Sequence, residues 1–209
     1  GGLTLIIKDI RTANKPNQIS TAYTGSPTAG VVSDLTNSNY GIGTSIFAAS
    51  TSVQHSIAIG YNALARTTDT YGNICIGRGT GQNITSSAGS VISLAGFDAN
   101  FNVIIGDQAG NALLRGSENC LTGNNTGYRI TDGYQNAAYG TEALSANEIG
   151  NGHTAMGGSA FKSKTGGNNG TALGNSAGFG SGNYSYYPDL TGDANTFLGA
   201  SSAQIDNGV

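Results

Sequence analysis

The stretch Ile57–Leu64 reads IAIGYNAL, and it decides the fold because the same pattern recurs along the chain. Each copy places apolar or small residues before a glycine and a small residue three positions after it. We call these nine residues the anchor glycines: Gly43, Gly60, Gly77, Gly106, Gly123, Gly140, Gly157, Gly174 and Gly199. Six of the eight intervals between them equal the step from Gly43 to Gly60, whereas the intervals that end at Gly106 and Gly199 are longer. The sequence therefore predicts a repeat array with two insertions.

Other positions keep the same register. Asparagine recurs four residues before the anchor, at Asn39, Asn73, Asn102, Asn119, Asn136 and Asn195, and glycine recurs seven before it, at Gly116, Gly133, Gly150, Gly167 and Gly192. A unit of this length is too short for two helices and a turn, but it fits one coil of a β-solenoid. Glycine and asparagine tolerate positive φ, so these positions are predicted to form the corners.

Composition narrows the class further. The 209 residues include 34 Gly and only 3 Pro, and 10% are charged. Glycine at this density opposes long helices, and the lack of a strict Gly period with Pro excludes collagen. The net charge of −3 argues against a nucleic-acid partner, and no apolar run reaches the 18 or so residues of a membrane-spanning helix. We expect an all-β protein without membrane insertion.

Strand residues just before the anchor are apolar on both faces. The residue one before the anchor is usually Ile or Leu, and the residue two before it is small or apolar. Alternate side chains of a strand face opposite ways, so one face lines the coil interior and the other needs a second surface. Other copies of the same chain provide that surface most simply. The sequence therefore predicts a homo-oligomer that is coaxial with the column.

The copies Ile57–Leu64 and Asn73–Gly77, with the stretch Thr165–Ala177, resemble the head repeats of YadA-like trimeric autotransporter adhesins and the related repeats of bacteriophage tail fibres. The resemblance covers Asn39 to Ser202. It implies a left-handed parallel β-roll, a tight homotrimer and a role in attachment. A stalk of heptads, a neck and a membrane anchor, which accompany the adhesin repeats, are not visible in this sequence.

We divide the chain into an N-terminal connector or cap, residues 1–38, and a β-roll array, residues 39–209. The insertions fall at about 82–98 and 179–191. The second insertion contains the candidate binding residues, Asn183, Tyr184, Tyr186, Tyr187 and Asp189, since aromatic rings and polar side chains on a loop suit sugar recognition. The alternative is that these tyrosines cover the flank of the column or contact a neighbouring subunit.

The predicted function is an attachment segment of a trimeric fibre that presents loops to a cell-surface receptor, most simply a glycan. Its expected partners are its own copies, adjacent fibre segments and that receptor. Its expected location is extracellular, on a virion tail fibre or, alternatively, on a bacterial surface. Two alternatives remain: a polysaccharide depolymerase with its active site between subunits, and a purely structural spacer.

No catalytic residues, metal ligands or cofactor are predicted. A glycosidase needs two facing carboxylates, whereas the acidic residues are scattered over different positions of the coil, and only Asp132 and Glu148 are expected to approach each other. His153 takes a position otherwise held by Asn and is expected to replace its corner hydrogen bond. Cys75 and Cys120 lie two coils apart, too far for a disulfide, and are expected to be small buried residues.

Overall fold

The computed structural model describes residues 30–34, 37–50, 53–85, 99–179 and 192–202. This part of the chain is all-β and contains no helix. Its strands are β1 (Gly30–Asp34), β2 (Asn39–Gly43), β3 (Ile57–Ile59), β4 (Ile74–Ile76), β5 (Val103–Ile105), β6 (Cys120–Thr122), β7 (Ala137–Tyr139), β8 (Thr154–Met156), β9 (Thr171–Leu173) and β10 (Thr196–Leu198). They form one sheet in sequence order.

The strands β2 to β10 are parallel and pair in the register that the repeat predicts. Ala58 of β3 is opposite Cys75 of β4, one period later in the sequence. Cys75 is in turn opposite Ile104 of β5, although the first insertion separates these two residues. The first insertion therefore does not shift the pairing of the strands on either side of it. The prediction of a parallel β-solenoid with coils of about 17 residues is confirmed.

The first described strand runs against the array. β1 pairs antiparallel with β2, with Val32 opposite Gly41. An unpaired edge of a parallel sheet offers a row of free backbone groups to other chains. β1 satisfies this row on β2, and β1 itself is the edge strand of the described sheet.

Three positions in each coil turn the chain through the left-handed region of φ. They lie five residues before the anchor glycine, two after it and four after it, as in Gln135, Glu142 and Leu144 around Gly140. Their φ angles are 57°, 58° and 56°. The corners were predicted at the glycines and asparagines seven and four residues before the anchor, but of these only Gly167 has a positive φ, and many of the observed corners carry residues other than glycine or asparagine. Hydrogen bonds between coils, such as Glu142 N–H to Asn124 O at 2.8 Å, hold a conformation that costs about 1–2 kcal/mol in a residue with a Cβ.

Buried asparagines join one coil to the next. The Oδ1 of Asn102 accepts the backbone N–H of Asn119 at 3.0 Å, and its Nδ2 donates to the Gly116 carbonyl at 2.9 Å. Asn119 repeats both bonds with Asn136 and Gly133. Each amide satisfies polar backbone at a corner that water does not reach. The asparagines four residues before the anchor were predicted to turn the corners at positive φ, but their φ is not positive, and they join the coils through these hydrogen bonds instead.

In several coils the core volume is exchanged between three positions: two residues before the anchor, four after and seven after. In the coils of Gly106 and Gly123 the middle position is glycine and its neighbours are large, as with Leu121, Gly127 and Ile130. Where it is large, they are small or polar, as in the coil of Ala138, Leu144 and Asn147. A Cβ on Gly127 would stand 2.8 Å from Ile130 Cδ1 and 2.9 Å from Leu121 Cδ1. These side chains therefore fill the space that a large residue takes in the other type of coil.

Candidate functional site

The outer face of the parallel sheet is an apolar surface without a covering layer in the chain described. Its side chains come from the residues one and three positions before each anchor glycine, and we call it the apolar face. Its large exposed members are Tyr40, Ile42, Ile105, Tyr139, Met156, Leu173 and Leu198. Tyr139 is 63% exposed and Leu198 is 66% exposed. The residues two before the anchor, including Ala138, Ala155 and Ala172, are buried in the coil. The predicted division of each strand into an inner and an outer apolar face is confirmed.

The two cysteines lie on opposite sides of this sheet. Cys75 is buried in the coil, and burial raises the pKa of its thiol. Cys120 is exposed on the apolar face, at the first residue of β6. The prediction that both cysteines are buried is therefore wrong for Cys120, because it stands three residues before its anchor and Cys75 stands two before.

The candidate binding residues of the second insertion, Asn183, Tyr184, Tyr186, Tyr187 and Asp189, lie outside the described residues, as does most of the first insertion. The described chain stops at Phe179 and resumes at Gly192 in the next coil. Their role in binding stays a prediction.

The acidic side chains engage basic groups on neighbouring coils. Both carboxylate oxygens of Asp132 accept hydrogen bonds from Arg115, at 2.9 and 2.8 Å. This pairing raises the pKa of the Arg115 guanidinium. Glu148, the expected neighbour of Asp132, lies 3.7 Å from Arg129. The backbone carbonyl of Glu148, rather than its side chain, contacts Asp132. It accepts a hydrogen bond from the backbone N–H of Asp132 at 3.3 Å. The two carboxylates thus serve different ion pairs.

His153 continues the asparagine ladder with one bond missing. Its Nδ1 accepts the backbone N–H of Gly170 at 3.0 Å, so its predicted corner hydrogen bond is confirmed. Its Nε2 is buried and has no hydrogen-bond partner among the described residues. Burial, and then the charge of Lys164, lower the pKa of His153 to about 4. The ring is therefore neutral at pH 7.

We expect His153 to lower the free energy of unfolding as the pH falls below 7. The folded pKa of about 4 lies below the ordinary 6.5, so the unfolded chain takes up the proton first as the pH falls through this interval. The loss approaches about 3 kcal/mol by pH 4 and is absent above pH 7. In His153→Asn the amide continues the ladder, and this part of the pH dependence disappears. Chemical unfolding of both proteins at pH 7.5 and pH 4 measures the difference. Equal losses in the two proteins would contradict the assignment.

Among the residues that the structure covers, no three His, Cys, Asp or Glu side chains come together as a metal site. The same residues contain no helix of a length and hydropathy that would cross a membrane.

Comparisons with protein families, curated proteins and solved structures found no match to this chain. The assignment of the fold therefore rests on the register of the strands, and any functional assignment rests on the surfaces of the column.

Proposed function

We propose that this chain is a segment of a homotrimeric, left-handed β-roll fibre that serves in attachment to a cell surface, most simply a virion tail fibre. The observation that carries the proposal is the apolar face. Exposed apolar patches of more than a few hundred Å² on a soluble protein mark interaction surfaces. This one continues from β2 to β10 along the whole described sheet.

The repeating character of the apolar face favours identical copies as its cover. Every coil contributes the same two outward positions, with Tyr139 in one coil followed by Met156 and Leu173 in the next two. Parallel columns of the same chain then bring like coils to the same height, and a closed ring leaves no stripe exposed. Three copies is the number that the family resemblance implies.

Two properties of such a column suit a role in attachment: its stiffness and the repetition of its surface. Hydrogen bonds between successive coils make a stiff rod, and three parallel chains carry every surface feature three times. Weak contacts with a repetitive cell surface then gain avidity through effective concentration.

The stoichiometry is tested by mass in solution. Sedimentation equilibrium at micromolar concentration is expected to give about 63 kDa, three times the chain mass of 21.0 kDa. Tyr139→Asp combined with Met156→Asp places charges on the apolar face and is expected to shift the protein to monomers, because a buried unpaired charge is costly. Ile149→Asp is the matched control, since Ile149 is 62% exposed but lies outside the sheet.

Cys120 gives an independent readout of the same interface. Its thiol is exposed on the isolated chain, so a covering copy is expected to slow its reaction with maleimide. The double aspartate variant is expected to restore fast alkylation, whereas the buried Cys75 stays unreactive in every folded form. A stable monomer of the native chain with a rapidly alkylated Cys120 would overturn the trimer.

A further inference from the structure

A groove lined by polar, charged and aromatic side chains runs along the column on a surface separate from the apolar face. Its volume is about 490 Å³, and its lining includes Gln108, Asn125, Tyr128, Arg129, Glu142 and Lys162. These residues lie two, five or six positions after their anchor glycines, so they are beyond the corner that ends each strand. We call this feature the lateral groove. None of its lining residues belongs to the apolar face.

The groove has the dimensions of a small-ligand site. It extends from the coil of Gly106 to the coil of Gly157, which is three coil steps or about 14 Å at about 4.8 Å per step. Its volume lies within the range of about 300–1,000 Å³ that is usual for binding clefts. The site is thus long, narrow and parallel to the fibre axis.

The lining offers donors, acceptors and an aromatic face together. The ring of Tyr128 is 38% exposed, and the amide of Gln108 makes no hydrogen bond with the described residues. Glu142 and Lys162 form a half-exposed ion pair at 2.7 Å. At the far end, Lys162 Nζ lies 5.9 Å from the centre of the Phe179 ring. Phe179 and Tyr128 stand at equivalent positions of their coils, five residues after the anchor glycine and three coil steps apart.

A carbohydrate would match this lining. Its hydroxyl groups both donate and accept hydrogen bonds, and its pyranose ring presents an apolar face of C–H groups that packs on an aromatic ring. A peptide that adds a strand would need an open strand edge. The groove provides none, because its backbone N–H groups already bond within or between coils, as from Asn125 to Asp107 O at 2.9 Å and from Arg129 to Ser145 O at 3.1 Å.

We propose that the lateral groove binds a linear oligosaccharide segment, with Tyr128 stacking on one sugar ring and the side chains of Gln108, Asn125, Glu142 and Lys162 bonding its hydroxyl groups. This proposal rests on the proposed attachment function and gives it a site on the regular coils. It differs from the site predicted in the second insertion, at about residues 179–191.

The test uses the full chain on an array of defined bacterial and animal cell-surface oligosaccharides, followed by titration of the best ligand. Tyr128→Ala is expected to weaken binding at least tenfold, and Tyr128→Phe, which keeps the ring, is expected to stay close to the native protein. Tyr61→Ala is the control, because Tyr61 is 54% exposed but does not line the groove. Unchanged mass and unfolding temperature verify that each variant is folded.

Two results would overturn the groove as the site. The first is full binding by Tyr128→Ala, and loss of binding on deletion of residues 180–189 alone would then place the ligand at the insertion. The second is a native protein that binds none of the oligosaccharides at millimolar concentration. Sedimentation distinguishes failure of the groove proposal from failure of the fibre proposal. A trimer that does not bind through the groove contradicts only the groove, whereas a monomer contradicts the proposed fibre.

Discussion

Gly140→Ala is expected to destabilise the protein by about 4 kcal/mol. Gly140 has a φ of 134°, a region essentially closed to residues with a Cβ. An added Cβ would also stand 2.5 Å from the carbonyl oxygen of Gly157 in the next coil. That oxygen belongs to backbone and cannot rotate away. Strain and overpacking each contribute about 1–3 kcal/mol.

Gly166→Ala is the matched control for this prediction. Gly166 lies in the same array, but its φ is not positive and a Cβ there would have no neighbour within 4 Å. We expect a change within about 0.5 kcal/mol. Chemical unfolding of the two variants and the native protein measures the difference. Equal stability of the Gly140 and Gly166 variants would mean that the anchor glycines are not stacked as the structure has them.

Leu144→Gly is expected to cost about 3 kcal/mol. Leu144 is fully buried, and removal of a buried leucine side chain costs about 2–5 kcal/mol through lost burial and the cavity it leaves. Relief of its left-handed backbone, with a φ of 56°, returns about 1 kcal/mol. Unfolding in denaturant measures the net loss.

The same variant can be rescued by converting its coil to the other type of core. The triple change Ala138→Leu, Leu144→Gly and Asn147→Ile reproduces the preceding coil, which carries Leu121, Gly127 and Ile130. We expect it to recover part of the stability, because volume returns to the same space and the buried Nδ2 of Asn147, which has no hydrogen-bond partner among the described residues, is removed. The loss of the hydrogen bond from the Gly150 N–H to Asn147 Oδ1 limits the gain. The coils of Leu64 and Gly81 already show that the two types stack on each other. A triple variant no better than Leu144→Gly would contradict the exchange of volume.

Part of the core pattern was open to sequence reasoning and was missed. Leu64, Leu144 and Phe161 stand where other coils have glycine, and the residue three positions later becomes polar in the same coils. The alternation is visible once the repeats are aligned. The lateral groove was missed for another reason. Gln108, Tyr128 and Lys162 follow no common residue type, so only their stacking on successive coils brings them together.

The sequence by itself determined the period, the parallel register and the separation of each strand into an inner and an outer face. These features can be predicted from the sequence because, in a solenoid, each residue contacts the equivalent residues one period away, and every coil repeats the same contacts. The tertiary structure alone decided which corners place residues other than glycine at positive φ, and where side chains from four coils form one groove. Those features depend on the angle at each corner and on the packing of unlike side chains between coils, which residue identity along one repeat does not specify.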